Sequence, residues 1–234
     1  MRVTLVFEPS PPVLAPVAGG QQYPVRRLFC VGRNYADHAR EMGADPDREP
    51  PFFFTAWAET VVTGGGAIAY PPKTANYHYE AELVVAIGKA GRNIPAETAM
   101  DHVYGYAAGL DMTRRDLQAE AKAQGRPWDT AKNVEQSKPL GLITPASGSF
   151  DPSKGRIALS VNGAVRQDAD LSDMIWPVAD VIAYLSGLYR IEAGDLIYTG
   201  TPAGVGPVVP GDMIEVSIEG LEPLNVTVSD PASA

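Results

Sequence analysis

The sequence is poor in cysteine, which limits the kinds of fold and compartment that suit it. Cys30 is the one cysteine among 234 residues, so an intrachain disulfide is excluded and a disulfide-stabilised secreted domain is not expected. Cys30 lies within the apolar run 28–31. Because a free cysteine in such a run behaves as a small buried side chain, we predict that it belongs to the core.

Long apolar runs and basic clusters are also missing. No stretch approaches the roughly 20 apolar residues that cross a bilayer, and no basic segment followed by an apolar one opens the sequence. Acidic residues outnumber basic ones by 28 to 19, which gives a net charge of −9. We therefore expect a cytoplasmic protein without a membrane or nucleic-acid partner. An anionic substrate would need locally placed cations or a bound metal ion to overcome this general field.

Histidine is scarce as well, since His38, His78 and His102 are the three in the chain. None of them has a partner at the spacing of a zinc site. For His78 and His102 we favour structural roles.

Glycine and proline, by contrast, are plentiful, and their 23 and 21 residues indicate many turns. Strand-like segments do not alternate regularly with helices, so the sequence predicts a mixed, strand-rich α+β fold rather than a Rossmann fold. Thr113 is predicted to begin the third helix, and Gly43 and Gly125 to end the first and third. The predicted elements are strands 27–32, 52–54, 80–87 and 103–112, helices 34–42, 95–102, 113–124 and 177–188, and a hairpin over 158–166.

Two acidic residues, Glu80 and Glu82, share one face of a predicted strand. Their spacing places the two carboxylates roughly 7 Å apart along the strand, with Ala81 and Leu83 on the opposite face. Asp111 ends another predicted strand. Three carboxylates without cysteine suit a hard cation such as Mg²⁺ or Mn²⁺. The spacing alone, however, favours a solvated strand face and, for Asp111, a charge at the start of a helix.

A histidine and a glutamate, His38 and Glu41, lie three residues apart in a predicted helix and so share a face. A carboxylate beside an imidazole raises its basicity and fixes its tautomer, and such a pair can take a proton from water. By itself the spacing fits a surface pair better.

The glycine-rich segment 199–206 follows a predicted strand but matches neither a phosphate loop nor a dinucleotide-binding motif. It can offer backbone N–H groups and the Thr201 hydroxyl to a carboxylate. A tight turn between strands explains it equally well.

Five segments together resemble the fumarylacetoacetate hydrolase family, especially its bacterial fumarylpyruvate and acylpyruvate hydrolases. They keep the family's order and spacing over about residues 27 to 230. This agreement favours functional roles for the acids, the histidine–glutamate pair and the glycine loop. The matching segments are 29–43, 78–88, 109–122 with the following Lys132, 161–167 and 194–208.

The resemblance implies a fold, a set of roles and an activity. The fold would be the family's mixed β-sandwich roll with short helices, with residues 1–26 as an irregular or edge segment and 27–234 as a single catalytic domain. The activity would be hydrolysis of a carbon–carbon bond in a 2,4-dioxo acid, with fumarylpyruvate as the expected substrate, by a homodimer that uses Mg²⁺, or Mn²⁺ or Ca²⁺ in its place. The implied metal ligands are Glu80, Glu82 and Asp111, the catalytic residues His38, Glu41 and Lys132, and the substrate-binding residues Arg115, Gln118 and Thr201.

One departure concerns the substrate. Members of this family commonly carry Lys-Pro after the phenylalanine-rich strand, where this sequence has Ala56-Trp57. The exchange removes a cation that is expected near the mouth of the site. We therefore expect the protein to bind a distal carboxylate more weakly, or to prefer a less charged acyl group beside Trp57.

Other activities stay open at this point. Oxaloacetate decarboxylation and 2-hydroxy-2,4-dienedioate isomerisation use the same kind of site within the family. A non-catalytic metal- or keto-acid-binding protein is the alternative from another class, and the Ala56-Trp57 exchange is its only support.

Overall fold

The strand-rich sequence folds into four β-sheets and five α-helices within residues 5–41 and 50–231, the parts of the chain that this computed structural model describes. The strands are Leu14–Pro16 (β1), Gln22–Pro24 (β2), Leu28–Gly32 (β3), Phe52–Ala56 (β4), Val61–Thr63 (β5), Gly66–Ala69 (β6), Tyr77–Tyr79 (β7), Ala81–Ile87 (β8), Val103–Leu110 (β9), Thr113–Arg114 (β10), Lys138–Leu140 (β11), Thr144–Pro145 (β12), Arg156–Val161 (β13), Ala164–Asp170 (β14), Leu196–Tyr198 (β15), Gly206–Val208 (β16), Met213–Ile218 (β17) and Leu224–Ser229 (β18). The α-helices are Ala36–Glu41 (α1), Ala96–Ala99 (α2), Arg115–Ala123 (α3), Asp129–Lys132 (α4) and Val178–Leu188 (α5), and 3₁₀ turns occupy Ala58–Thr60, Met100–His102 and Leu171–Asp173.

Two large sheets form the body of the fold. The first runs in the order β4-β3-β15-β8-β9-β11-β5, with β12 also paired to β9, and the second in the order β14-β13-β17-β18-β6. Strands β13 and β17 pack against β8 and β9, so the two sheets lie face to face. This arrangement confirms the predicted α+β sandwich.

The central strand β8 is buried on both of its faces. Leu83 and Val85 point into the core between the two large sheets, whereas Val84 and Ala86 point into a second apolar cluster on the other side. The alternation of side chains that the sequence predicts for this strand is therefore confirmed. The second face is covered too, which explains why residues 83–87 of β8 are all apolar.

The N-terminal segment supplies that second cover. β1 and β2 form a small antiparallel sheet, and Tyr23 and Val25 are buried in the second cluster. The Tyr23 hydroxyl donates hydrogen bonds to the backbone carbonyls of Ile87 (2.8 Å) and Asp195 (3.0 Å). This segment is thus anchored to the end of β8 and to the turn before β15.

Several predicted elements are confirmed, and one cap is wrong. The helix predicted at 177–188 begins after Pro177 as α5, and Gly125 takes the left-handed conformation that ends α3. Thr113 does not cap α3, because it lies in β10 and its hydroxyl donates instead to the carbonyl of Asp111 at 3.0 Å. The predicted C-cap Gly43 lies outside the described residues. No helix among them is long and apolar enough to span a membrane.

The predicted hairpin turn offers a test of the backbone, because Asn162 and Gly163 both have positive φ, 52° and 80°. A Cβ added at Gly163 would meet no atom within 4 Å, and the same holds for Gly187 within α5. We expect Gly163→Ala to lower the free energy of unfolding by roughly 1 to 2 kcal/mol through backbone strain alone. Gly187→Ala should raise it by roughly 0.5 to 1 kcal/mol. Urea unfolding measures both, and changes of the same sign would contradict the assigned backbone conformations.

Candidate active site

Three buried carboxylates meet where β8 begins and β9 ends. Glu80 directly precedes β8, Glu82 lies within it, and Asp111 directly follows β9. The two strands are antiparallel and neighbours in the sheet, so these ends coincide. An oxygen from each carboxylate lies within 4.8 Å of the others, and the three residues are 1–4% exposed. The solvated strand face and the helix-start charge are therefore wrong interpretations.

Three cations arrive from other elements to pair with this negative charge. Lys132, at the end of α4, places its Nζ 2.6 Å from Glu80 Oε2 and 3.0 Å from Asp111 Oδ2. Lys138 Nζ lies 2.6 Å from Asp111 Oδ1, and Arg115 Nη2 lies 2.5 Å from Glu80 Oε1. Burial by itself would raise the pKa of Glu80, but Lys132 and Arg115 hold that pKa below its ordinary value.

Glu82 is left without such a partner. Its Oε2 accepts a hydrogen bond from the backbone N–H of Gly200 at 2.8 Å, and it forms no ion pair with any residue in the described part of the chain. Burial, with Asp111 and Glu80 close by, raises the pKa of Glu82 well above its ordinary value. One buried carboxylate in this group thus lacks a counter-charge. An all-oxygen set of three carboxylates with such a deficit fits a hard divalent cation.

The predicted histidine–glutamate pair lies in the same cleft. His38 is 6% exposed on α1 and lines the cleft together with the three carboxylates. Its Nδ1 lies 3.2 Å from Glu41 Oε2. Burial lowers the pKa of His38, although Glu80 and Glu41 act in the opposite direction. The imidazole is therefore neutral at neutral pH and can accept a proton, and the surface-pair interpretation is wrong for this buried ring.

The glycine-rich loop 199–206 borders the acids and contacts the helix that carries His38. Gly200 donates to Glu82, as described above, and the Gly204 N–H donates to Glu41 Oε2 at 3.4 Å. Thr201 is buried and lines the cleft. The loop thus offers its N–H groups to carboxylates, as the sequence predicts, but these carboxylates belong to the protein itself.

Gln167, on β14, holds this loop in place. Its side-chain oxygen accepts from the N–H of Ala81 at 2.9 Å, and its Nε2 donates to Thr201 Oγ1 at 2.8 Å and to the carbonyl of Pro202 at 2.7 Å. Sequence reasoning did not assign it a role. Its position inside the matched hairpin segment was the available signal, but its partners lie 34 to 86 residues away.

The helix α3 brings the remaining predicted residues to the cleft. Arg115 Nη1 donates to Gln118 Oε1 at 2.6 Å, and both residues line the cleft. His78 is not part of the carboxylate group, since Arg115 Nε donates to its Nδ1 at 3.4 Å and its Nε2 lies 2.8 Å from Asn76 Oδ1. Burial and Arg115 lower the pKa of His78 to about 4. His102 contacts the carbonyl of Lys89 outside the site.

Several residues of the cleft were missed by the sequence analysis. Lys138 carried one available signal, a lysine inside an otherwise apolar strand, and it is fully buried beside Asp111. Arg33 and Lys122 lie inside the matched segments 29–43 and 109–122, which was the available signal for them. Phe54 and Trp128 gave none that distinguishes them from ordinary core residues.

The unusual Ala56-Trp57 pair lies away from the cleft. Ala56 is 5% exposed and belongs to the second apolar cluster. Trp57 is 62% exposed, and its backbone N–H donates to Asn133 Oδ1 at 3.0 Å. Neither residue lines the cavity.

Known proteins are similar to this chain in sequence and in structure. A fumarylpyruvate hydrolase from Ralstonia sp. is 49% identical over 189 residues, which cover 80% of this chain and 98% of that protein. A mitochondrial oxaloacetate tautomerase from Homo sapiens is 44% identical over 209 residues, 88% of this chain and 93% of that one. A crystal structure of fumarylpyruvate hydrolase from Pseudomonas aeruginosa, in complex with Mn²⁺ and pyruvate, has a TM-score of 0.94 and 50% identity, covering 97% of this chain and 99% of that one.

The family assignment follows from the length of chain involved as well as from the identities. The family description "Fumarylacetoacetate (FAA) hydrolase C-terminal" matches residues 27–229. That range contains both large sheets and every residue of the cleft described above. The chain belongs to the fumarylacetoacetate hydrolase family.

Proposed function

We propose that this protein is a metal-dependent hydrolase that cleaves the C3–C4 bond of a 2,4-dioxo acid, with fumarylpyruvate as substrate and fumarate and pyruvate as products. The observation that carries the proposal is the shared cleft, in which a buried, neutral His38 faces three buried carboxylates, one of which has no ion-pair partner among the described residues. The name of the Ralstonia relative and the Mn²⁺ and pyruvate in the Pseudomonas structure support the choice of substrate. We also propose a cytoplasmic homodimer.

Glu80, Glu82 and Asp111 would hold the metal ion, and Mg²⁺ or Mn²⁺ suits their oxygen atoms better than a softer metal. When bound, the ion supplies Lewis-acid stabilisation of the negative charge that develops on the 2-oxo acid half of the substrate. It also supplies the counter-charge that Glu82 lacks.

His38 would act as the general base. Glu41 occupies Nδ1, which leaves Nε2 to take a proton from water. The water oxygen attacks the C4 carbonyl, the C3–C4 bond then breaks, and C3 takes up a proton as pyruvate forms. The water adds its oxygen to the acyl half, which leaves as fumarate.

Donors around the cleft would hold the substrate and the developing oxyanion. Lys132 and Gln118 are buried, line the cleft and can donate to the C4 oxyanion. Arg115 holds both Glu80 and Gln118 in place, and the Thr201 hydroxyl, fixed by Gln167, borders the same space.

Oxaloacetate is a second candidate substrate, because the human relative that is 44% identical is an oxaloacetate tautomerase. Its conversion would use the same carboxylates without requiring attack by water. His38 would then move a proton on carbon or oxygen instead of activating water.

A direct assay distinguishes these activities. The purified protein, loaded with Mg²⁺ or Mn²⁺, is mixed with fumarylpyruvate, acetylpyruvate or oxaloacetate while the enol absorbance is followed, and EDTA is added in parallel. We expect metal-dependent loss of the fumarylpyruvate absorbance with release of equimolar fumarate and pyruvate. Turnover of oxaloacetate alone would favour the second candidate, and metal binding without any turnover would favour a binding protein.

The uncompensated charge of Glu82 predicts an unusual effect on stability. Because the pKa of Glu82 is raised in the folded state, the metal-free protein loses stability as pH rises above the ordinary carboxyl range. At pH 7 we expect Glu82→Gln to raise the free energy of unfolding in EDTA by roughly 1 to 3 kcal/mol. The same variant should bind Mn²⁺ more than about 100-fold more weakly, since changes outside the ligand set alone cost about 10- to 100-fold.

Asp111→Asn is the matched control. Asp111 is paired with Lys132 and Lys138, so its neutralisation should weaken Mn²⁺ binding equally but lower the stability in EDTA. Thermal unfolding and calorimetric titration measure both quantities. Equal destabilisation by the two variants would show that Glu82 has a cationic partner.

The lowered pKa of His38 predicts the acid limb of the pH profile. The base is active when neutral, so the acid limb of kcat/KM should lie at lower pH than the ordinary histidine value of about 6.5. Because Glu41 raises the pKa of His38, Glu41→Gln should shift this limb to lower pH and reduce the maximum rate.

Two alanine variants serve as controls. His38→Ala should lower turnover by roughly 10²- to 10⁴-fold at every pH while Mn²⁺ binding stays unchanged, and His102→Ala should behave as the wild type. Loss of Mn²⁺ binding in His38→Ala would mean that the histidine is a ligand and not the base.

A further inference from the structure

The rim of the cleft carries cations in addition to those that pair with the carboxylates at its floor. The floor carries the three carboxylates, and the rim carries Arg33 and Lys122. Lys122 lies on α3 seven residues after Arg115 and four after Gln118, a spacing that places all three on one helix face, and all three line the cleft. The same helix face therefore reaches from the carboxylates to the rim.

Lys122 is surrounded by cations. A helical partner of Lys122 would lie three or four positions before or after it. Those positions hold Gln118, Ala119, Gly125 and Arg126, and none of them is acidic. Within the described ranges it has no ion pair, while burial, Arg33 and Arg115 lower its pKa. Like charges held together in this way are stabilised by an anion placed between them.

Arg33 lines the same cleft and is held by its surroundings. It directly follows β3 and takes a left-handed backbone conformation, with φ at 57°, which a non-glycine residue adopts where the surrounding structure holds it. Its guanidinium carbon lies 5.4 Å from the centre of the Phe52 ring. The Phe52 ring in turn meets Trp128 edge-on, with centroids 5.5 Å apart, so an aromatic wall supports this cation.

We propose that Lys122 and Arg33 form a subsite for a second carboxylate at the far end of the substrate. This inference rests on the proposed function and narrows the range of substrates expected for it. The preferred substrates are 2,4-dioxo acids that carry a distal carboxylate, and acids with a neutral acyl group bind more weakly. Ala56 stands where family members commonly carry a lysine, so that cation is missing here. Lys122 on α3 and Arg33 after β3 would supply positive charge in its place, in a protein whose net charge is −9.

A kinetic comparison tests the subsite. Lys122→Met and Arg33→Gln should each raise KM for fumarylpyruvate by about 10- to 100-fold, the loss expected for a charge-assisted hydrogen bond. The value of kcat, and both constants for acetylpyruvate, should stay within about twofold. Lys122→Arg should restore much of the loss. The control Lys89→Met removes an exposed lysine just beyond the opposite end of β8 and should change nothing. Equal effects on both substrates, or none, would overturn the proposal.

A binding measurement tests the subsite without turnover. The seven-carbon acids 2-oxoheptanedioate and 2-oxoheptanoate have the chain length of fumarylpyruvate, lack a C4 carbonyl and differ only in the distal carboxylate. Calorimetric titration of the Mn²⁺-loaded protein should show tighter binding of the diacid by about tenfold or more, and Lys122→Met and Arg33→Gln should abolish that preference while Lys89→Met keeps it.

The two outcomes separate the subsite from the reaction. A wild-type protein that binds both acids equally, or a preference that survives in both variants, would refute the subsite even if fumarylpyruvate is hydrolysed. A clear preference for the diacid in a protein that turns over no dioxo acid would refute the proposed function and leave the subsite standing.

Discussion

The burial of three carboxylates at one corner of the large sheet is the constraint on which the rest of the site depends. Charges buried in a protein must be paired or they destabilise it, and β8 and β9 place Glu80, Glu82 and Asp111 together with no local cation. Cations from three other elements form ion pairs with Glu80 and Asp111, and they are Lys132, Lys138 and Arg115. The helices α3 and α4 and the strand β11 are therefore fixed by electrostatics as well as by packing.

The pairing is uneven across the cleft. Glu82 has no ion-pair partner among the described residues, and Lys122, which forms no ion pair there either, lines the same cleft as Arg33. A ligand that carries anionic groups at both ends, bound through a metal ion at the floor, complements both regions. The same charge separation would orient an extended diacid in one direction only.

The neutral His38 is a consequence of the same geometry. Its ring is buried beside the acids, which lowers its pKa, and Glu41 limits that effect and occupies Nδ1. The glycine loop connects these parts, because Gly200 donates to Glu82 and Gly204 to Glu41. Gln167 then fixes the loop to β8. The proposed base, the proposed metal-binding set and the border of the cleft are thus joined through one loop, within a fold that the Pseudomonas structure shares over 97% of this chain.

The sequence by itself determined the local elements and the family. The alternation over 80–87, the Asn162-Gly163 turn and the helix after Pro177 are local patterns, and the five motifs in their order identify the family. Only the tertiary structure decided whether the carboxylates are buried, since the spacing of Glu80 and Glu82 fits a solvent-exposed strand face as well as a buried one. It also revealed Lys138, Gln167 and the rim cations. Burial and pairing in the site depend on residues up to 163 positions apart, and no local pattern encodes which distant residues will lie next to each other.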